Sequence, residues 1–199
     1  MLLKQHTSFK LEAGTDEAGR GCLAGPVTGA AVILPEKFSL PKLNDSKLLS
    51  DKIRYEIRPF IEEHALAWYV ANIDNRQIDQ INILNASILA MHHAIAGLDL
   101  TPEFILVDGN RFKPFQNIPY ICMIKGDSRF MNIAAASILA KTYRDDYMNE
   151  LDEQFPMYDW RNNKGYPTKK HREAIQKHGT TPHHRLTFKL LEQQTKLDI

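Results

Sequence analysis

Five short apolar stretches of strand character, separated by segments with helical spacing, constrain the fold of this chain more than any other feature. The predicted strands cover residues 9–17, 27–34, 64–73, 103–108 and 118–124. Apolar residues recur at helical spacing in residues 53–61, 81–95 and 131–155. Five strands with helices interspersed predict a mixed α/β sheet flanked by helices.

Length and apolar content fit one core with a small appendage. The chain has 199 residues, of which 43% are hydrophobic, and it contains no repeat or low-complexity segment. We expect residues 1–155 to form the core and residues 156–199 to form a small helical C-terminal subdomain. Its short helices would be broken at Gly165, Pro167, Gly179 and Pro182.

Neither a secretory leader nor a membrane span is predicted. The start, residues 1–6, is too short and too polar for a signal peptide, and no long apolar run follows. We therefore expect a cytoplasmic protein with no membrane partner. Cys22 and Cys122 are too few for a zinc cage or a disulfide framework, so reduced thiols are expected, although a single disulfide stays open.

Charge is distributed unevenly along the chain. Residues 161–199 hold nine Lys or Arg against three acids, which gives +6, whereas the whole chain carries +1 and residues 1–160 therefore carry −5. A Lys-rich solvated helical face is one interpretation. The interleaved rings of Tyr158, Trp160 and Tyr166 favour the other, a nucleic-acid surface that combines cations with stacking aromatics.

Two adjacent acids, Asp16 and Glu17, lie in a glycine-rich turn at the end of the first predicted strand. Proteins hold Mg²⁺ with one or two carboxylates together with phosphate oxygens, so this pair predicts half of a metal-dependent phosphoryl-transfer site. The competing interpretation is a solvated turn, because Asp and Gly are common turn residues.

Two further acids are candidates for the other half. Asp108 ends the apolar run 104–107, and a rigid strand positions a carboxylate well, although Asp-Gly could also be an ordinary turn. Asp127 precedes an Ala-rich helix and could instead cap it. Crowding these carboxylates together without a metal should raise at least one of their pKa values.

Three other functional patterns are disfavoured. Residues 19–24 satisfy a G-x-G-x-x-A dinucleotide pattern, but Pro26 opposes a helix there and the two acids would repel a pyrophosphate. The His92-His93 and His183-His184 pairs are adjacent in sequence and so share no helical face, which favours surface or structural roles over metal binding. Ser137 has no local base to activate it as a nucleophile.

The order of seven short motifs resembles the ribonuclease HII family. These are 16–21 with 25–27, 43–47, 107–109, 125–127, 133–141, 165–171 and 184–188, which together span nearly the whole chain. Two departures are Thr187, where the family more often has Ser, and Pro167 inside the tyrosine motif. Neither removes an ionisable group. Ribonuclease HIII, which resembles this family, carries an extra N-terminal domain, and we expect none here because the Asp-Glu motif begins at residue 16.

The resemblance implies a ribonuclease H-like fold and an endoribonuclease. It would hydrolyse the phosphodiester 5′ to a ribonucleotide, in RNA/DNA hybrids or in duplex DNA containing embedded ribonucleotides, and leave 3′-hydroxyl and 5′-phosphate ends. Catalysis would use two Mg²⁺ or Mn²⁺ ions. A monomer acting in ribonucleotide excision repair and DNA replication is implied.

The resemblance also assigns residues. The catalytic metal ligands would be Asp16, Glu17, Asp108 and Asp127. The backbone of Gly19, Arg20 and Gly21 would recognise the 2′-hydroxyl. Lys47 would bind phosphate, and Tyr166 would stack on the sugar that follows the ribonucleotide.

Several alternatives stay open. Tyr166 could be a core residue, and Lys141 and Arg144 could bind phosphate or pair with acids such as Asp145. The rival functions are a nuclease or recombinase that acts on DNA and a catalytically silent nucleic-acid binder.

Overall fold

The computed structural model describes residues 2–191, and a mixed sheet forms the centre of this part of the chain. The strands are β1 (Glu12–Ala18), β2 (Val27–Ile33), β3 (Ala67–Ile73), β4 (Phe104–Asp108) and β5 (Tyr120–Met123). Their order is β3-β2-β1-β4-β5, in which β1–β2 and β2–β3 are antiparallel, whereas β1–β4 and β4–β5 are parallel. The predicted mixed α/β sheet is confirmed.

Five α-helices and two 3₁₀ turns complete the described structure. They are α1 (Asp51–His64), α2 (Asn75–Ala96), α3 (Met131–Gln154), α4 (Trp160–Asn163) and α5 (Lys169–His178), with 3₁₀ turns at Gly126–Ser128 and Pro156–Tyr158. The predicted start of the third strand at residue 64 is wrong, because α1 continues to His64 and β3 begins at Ala67. Side chains cap the starts of α1, α2 and α5 but not that of α3; the Asp74 carboxylate, for example, accepts the Gln77 N–H at 2.7 Å.

Glycines allow helices to approach both faces of the sheet closely. A Cβ at Gly14 on β1 would lie 2.2 Å from the carbonyl carbon of Asn132 in α3. On the other face, a Cβ at Gly29 on β2 would lie 2.5 Å from the carbonyl carbon of Ala90 in α2. The helix α1 packs beside α3. Because α3 lies directly against β1, its side chains also reach the carboxyl end of that strand.

The segment after α3 packs against the end of that helix and against one loop of the core. Its apolar cluster contains Leu23, Ala24, Met148, Leu151, Tyr158, Trp160, Ile175 and Leu190. We call residues 19–26 the glycine loop and residues 181–188 the strap. The two pair like short strands, with Gly25 N–H to the His183 carbonyl at 2.9 Å and Arg185 N–H to the Leu23 carbonyl at 2.8 Å.

The strap is also bound to the start of α2. The Asn75 amide donates to the carbonyls of Pro182 and His184, both at 2.9 Å. The Asp79 carboxylate accepts the Leu186 N–H at 2.8 Å and also bonds the Thr187 hydroxyl. The hydrogen bond to Asp79 requires a hydroxyl at position 187. Thr187 supplies it, as the serine more common in the family would. The division at residue 155 remains a prediction, and residues 192–199 of the predicted subdomain lie outside the described residues.

No helix within residues 2–191 is long and apolar enough to cross a membrane. Cys22 and Cys122 are free thiols, as predicted.

Candidate metal centre and nucleic-acid site

Three of the four predicted acids converge at the carboxyl end of β1 and β4. One oxygen from each of Asp16, Asp108 and Asp127 lies within 4.8 Å of the others. Asp16 and Asp127 are buried, and Asp108 is half-buried. Three separate chain segments therefore contribute to one carboxylate cluster.

Sheet topology explains this convergence. The strands β1 and β4 are parallel neighbours, and Asp16 and Asp108 each follow the paired residues Thr15 and Val107. Parallel strands bring their carboxyl ends to the same edge. Asp127 comes from the 3₁₀ turn after β5, which docks on the cluster because the Gly126 N–H donates to Asp108 Oδ1 at 2.7 Å.

Glu17 lies beside this cluster but not within it. Successive strand residues point to opposite faces, so Glu17 is directed away from Asp16 toward α2. Its carboxylate accepts from Arg20 Nη1 at 3.1 Å and is 11% exposed. Glu17 and Asp108 line two cavities, one of about 520 Å³ beside Asp16 and one of about 210 Å³ beside α2. The metal-ligand role of Glu17 stays a prediction.

Burial and mutual repulsion raise the pKa values of these acids, as predicted from their crowding. The pKa of the Asp16 carboxyl stands well above its usual range because of burial first and then the charges of Glu17 and Asp108. Burial also raises the pKa of Glu17, which Arg20 partly opposes. The pKa of Asp108 is raised by burial and by Asp127, against the opposing N–H groups. A divalent cation would relieve this repulsion.

The nature of the donors fits Mg²⁺ or Mn²⁺. Carboxylate oxygens are the ligands that these hard cations prefer, and the three described oxygens are close enough to share an ion. The carboxylates of Asp16, Asp108 and Asp127 could therefore hold a divalent metal.

Two lysines near the site differ in their contacts. Lys47 Nζ lies 3.4 Å from Asp127 Oδ2 and its side chain is 77% exposed. Burial would lower the pKa of the Lys47 ammonium, but Asp127 and Asp16 outweigh burial and raise it. Lys141 instead pairs with Asp145, with Nζ 2.6 Å from Oδ1. Of its two open roles, the pairing with an acid is the one observed.

The glycine loop forms one wall of the larger cavity. Gly19 has φ +91°, and a Cβ there would lie 2.0 Å from the Nε of Arg144. At Gly21 a Cβ would meet nothing within 4 Å, so the backbone is open to the cavity. Glycine is thus needed at position 19 by the backbone conformation and by the packing of Arg144. At position 21 the absence of a side chain leaves room for a ligand to approach the backbone.

Tyr166 lines the same cavity and is 41% exposed as a residue. Its backbone is fixed on both sides, since Tyr166 N–H donates to Asn163 and His171 Nδ1 lies 2.9 Å from the Tyr166 carbonyl. The other two aromatic rings of this segment behave differently. Tyr158 is 2% and Trp160 0% exposed, so the prediction that they offer stacking surfaces is wrong, because both fill the apolar cluster under the strap.

Several residues near the site make contacts that were not predicted from the sequence. The hydroxyl of Ser137, which was rejected as a nucleophile, bonds the Asp16 carboxylate and lies 2.9 Å from the hydroxyl of Ser46. Arg144 and Arg185 are buried beneath the glycine loop. Among residues 2–191, Arg144 does not form the pair with an acid that was one of its two open roles, and it instead donates to backbone carbonyls. Ser46, Ser137 and Arg185 lie within motifs shared with the family, whereas Arg144 lies just after one of them.

The histidine pairs have structural surroundings. His184 is buried and accepts the Thr181 N–H, and His92 contacts the carbonyl of Lys113. Both contacts support the structural roles predicted for them.

A mixed five-stranded sheet that gathers carboxylates beside an open, polar cavity defines a metal-dependent hydrolase of the ribonuclease H-like class. The comparisons with known proteins agree. The family model described as Ribonuclease HII matches residues 13–191. A curated Ribonuclease HII from Phocaeicola vulgatus is 58% identical over 199 residues, which cover 100% of this chain and 99% of the relative.

Solved structures share the fold. The chain is similar to the structure of the PCNA:RNase HII complex from Archaeoglobus fulgidus, with a TM-score of 0.78, 27% identity, and 94% and 98% of the two chains covered. Bst-RNase HIII in complex with Mn²⁺ has a TM-score of 0.72 at 20% identity, with 90% and 67% covered. This chain belongs to the ribonuclease HII family, and it is a metal-dependent ribonuclease.

Proposed function

We propose that the protein cleaves the phosphodiester on the 5′ side of a ribonucleotide, in RNA/DNA hybrids and in duplex DNA with embedded ribonucleotides, leaving 3′-hydroxyl and 5′-phosphate ends. The observation that carries this proposal is the carboxylate cluster beside the larger cavity, whose other walls are the glycine loop and Tyr166. Such a cavity combines a place for ions with groups suited to reading a sugar.

The cluster would hold the catalytic ions. Asp16, Asp108 and Asp127 would supply oxygens to one ion, and Glu17 would supply a ligand to a second; its position beside Asp108 in both cavities supports this role. Bound Mg²⁺ or Mn²⁺ supplies activation of water and neutralisation of charge on the leaving oxygen. Manganese in the Bst-RNase HIII structure supports this metal class. Within the protein, Ser137 and Gly126 orient the carboxylates of Asp16 and Asp108 for that task.

The ribose is read by the backbone of Gly19, Arg20 and Gly21. A 2′-hydroxyl is the group that separates the two sugars, and it can be both donor and acceptor. The open space at Gly21 lets a sugar approach the main chain. Lys47 serves a phosphate at the cavity mouth, where its long, exposed side chain can leave Asp127 for a ligand oxygen.

The decisive assay uses a DNA duplex with one ribonucleotide, incubated with the protein and Mg²⁺ or Mn²⁺, followed by mapping of the cut. We expect a single cut 5′ to the ribonucleotide and none in the matched all-DNA duplex. Equal cutting of both would favour a DNA nuclease, and binding without cutting would favour a silent binder. Light scattering of the protein with and without this duplex tests whether it acts as a monomer.

Tyr166 provides a test of junction sensing. If its ring stacks on the sugar beyond the ribonucleotide, Tyr166→Phe should keep most activity, whereas Tyr166→Ala should lose about 5-fold to 150-fold, the value of roughly 1–3 kcal/mol of stacking. The loss should be larger on a single embedded ribonucleotide than on a long RNA/DNA hybrid. Equal losses on the two substrates would show that Tyr166 does not sense the junction.

A further inference from the structure

Two fully buried arginines lie beneath the glycine loop and pair with no acid. Arg144 is 1% and Arg185 0% exposed, and within residues 2–191 neither forms an ion pair. Burying a guanidinium without a carboxylate partner is costly unless its donors are satisfied in another way. Here backbone carbonyls satisfy them.

Arg185 holds the glycine loop from the strap. Its Nε donates to the Gly25 carbonyl at 3.0 Å, its Nη1 to the Arg20 carbonyl at 2.9 Å and its Nη2 to the Pro26 carbonyl at 2.9 Å. Burial lowers the pKa of Arg185 to about 10, so the group is still charged at neutral pH. Three carbonyls in different parts of one loop are thus fixed by a single rigid plane.

Arg144 holds the same loop from α3. Its Nε donates to the Pro26 carbonyl at 2.9 Å, its Nη2 to the Ala24 carbonyl at 3.1 Å and its Nη1 to the Lys164 carbonyl at 2.8 Å. Lys164 precedes Gly165 and Tyr166. The same guanidinium therefore ties the glycine loop to the segment that carries Tyr166.

The bond to the Arg20 carbonyl has a consequence for the next residue. In a planar trans peptide the C=O and the N–H point in opposite directions. Because Arg185 draws the Arg20 carbonyl toward the protein interior, the N–H of Gly21 is directed away from the buried guanidinium. Gly21 lines the larger cavity, where this N–H is available to a ligand.

We propose that Arg144 and Arg185 are positioning residues that hold the glycine loop in the conformation that distinguishes ribose from deoxyribose, and that Arg144 also fixes the spacing between this loop and Tyr166. The inference rests on the proposed function, since it assumes that the loop reads a 2′-hydroxyl. Neither arginine contacts the substrate, so both act through the backbone they bind.

The test compares Arg185→Lys with the matched control Arg58→Lys. Arg58 lies on α1 and binds Glu62 and Asp146, away from the glycine loop. An ammonium keeps the charge but cannot serve three carbonyls at once. Binding to a duplex with one ribonucleotide and to the matched all-DNA duplex is measured without metal, and hydrogen exchange is followed at residues 19–26.

We expect Arg185→Lys to reduce the preference for the ribonucleotide duplex by about 10-fold, the effect of losing one or more buried charged hydrogen bonds. All-DNA binding and Mn²⁺ affinity should change little, and exchange should increase in residues 19–26. The control should show none of these changes. An unchanged preference with unchanged exchange would overturn the proposal.

If Arg185→Lys does not fold, Asp79→Ala loosens the strap from the surface, because it removes the acceptor for Leu186 and Thr187. The same shift in preference, at smaller size, is expected, and its absence in a folded variant counts against the proposal. If the wild-type protein binds both duplexes equally, the proposed function is refuted instead. Hydrogen exchange at residues 19–26 in the variants then tests separately whether the two arginines hold the glycine loop.

Discussion

Asp108 combines a structural contact with an open carboxylate oxygen. Its Oδ1 accepts the Gly126 N–H and so anchors the turn that carries Asp127. An asparagine keeps an oxygen that can accept this bond, but it loses the negative charge that a cation needs. Charge and position can therefore be separated at this residue.

Asp108→Asn should keep the fold and duplex binding but reduce cleavage by about 100-fold or more, as when a group that stabilises developing charge is removed. Single-turnover cleavage at saturating Mg²⁺ measures the loss, with thermal unfolding as the check on folding. Asp146→Asn on α3, away from the carboxylate cluster, is the control and should cleave normally. Near wild-type cleavage by Asp108→Asn would show that Asp108 is not a ligand.

The two glycines of the loop should respond differently to alanine. Gly19→Ala should lower the free energy of unfolding by about 1 kcal/mol or more, because φ is +91° and Arg144 occupies the space. Gly21→Ala meets no neighbour and should leave stability within about 0.5 kcal/mol while weakening binding of the ribonucleotide duplex. Urea unfolding and duplex titration measure both. Reversed effects would contradict the separation of fold and ligand roles.

The sequence was sufficient to predict the three acids that converge, but not the contacts of the two buried arginines. Asp108 could be predicted because an apolar run ending in an acid predicts a strand with a carboxylate at its end. Arg144 and Arg185 could not be assigned their contacts, because they bind main-chain carbonyls, and a carbonyl acceptor has no side-chain identity to read. Tyr158 and Trp160 were misread since aromatic residues among cations look alike whether they stack on a ligand or fill a small core.

At the scale of elements, two buried histidines join α5 to the strap. His184 Nδ1 accepts the Thr181 N–H at 2.9 Å, so its proton is on Nε2, which lies 3.3 Å from His171 Nε2. His171 Nε2 also accepts from Trp160 Nε1 at 3.0 Å. Both rings are therefore neutral, and a second proton on either one would break a hydrogen bond.

Mild acid should destabilise this part of the fold. Burial first, and then His171 and His183, lower the pKa of His184 to about 4, and burial with Arg172 lowers that of His171. An unfolded histidine titrates near 6.5, so between about pH 6.5 and 4 the unfolded chain binds more protons. Stability is then complete above about pH 6.5 and falls as the pH decreases toward 4.

Urea unfolding from pH 7.5 to 4.5 measures this dependence. His184→Gln should be less stable at pH 7.5 but should show a flatter decline, while His93→Gln, exposed on α2, should follow the wild type. An equal decline in His184→Gln and the wild type would rule out His184 as the source.

The bounds of helices and strands could be predicted where they depend on neighbouring residues in the sequence. The strand β2 was predicted within one residue, because apolar periodicity records burial directly. The end of α1 was not, since its last residues and the first residues of the predicted strand are both compatible with either state. The order of the strands in the sheet could not be predicted from apolar periodicity, because it depends on pairing between β1 and β4, which are far apart in the chain.

At the scale of the molecule, the basic charge of the C-terminal segment is only partly available to a ligand. Arg185 is buried, and Arg161 pairs with Asp152 and Glu153. Lys169 and Lys170 are exposed at the start of α5, close in sequence to Tyr166, and within residues 2–191 their one acid contact is long, with Lys169 Nζ 3.8 Å from Glu173 Oε1. These two lysines are the better candidates for phosphate contacts.

Lys169→Gln with Lys170→Gln should flatten the salt dependence of duplex binding, by about 0.9 in the slope of log K against log salt for each phosphate that is no longer neutralised. The control is Lys10→Gln with Lys37→Gln, exposed at the opposite end of the sheet from Asp16. Titrations at several salt concentrations measure both slopes. Equal slopes for the two double variants would favour the interpretation of α5 as a solvated, Lys-rich helical face that does not contact phosphates.

The pairing of the glycine loop with the strap makes the conformation of an early segment depend on a segment that is synthesised much later. The Gly25 and Arg185 partners are 160 residues apart in sequence. During synthesis, β1 and both of its acids leave the ribosome long before the strap exists, and contacts of such long range form late in folding. We therefore expect a nascent chain to be unable to select ribonucleotides until the strap has been synthesised and has docked on the glycine loop.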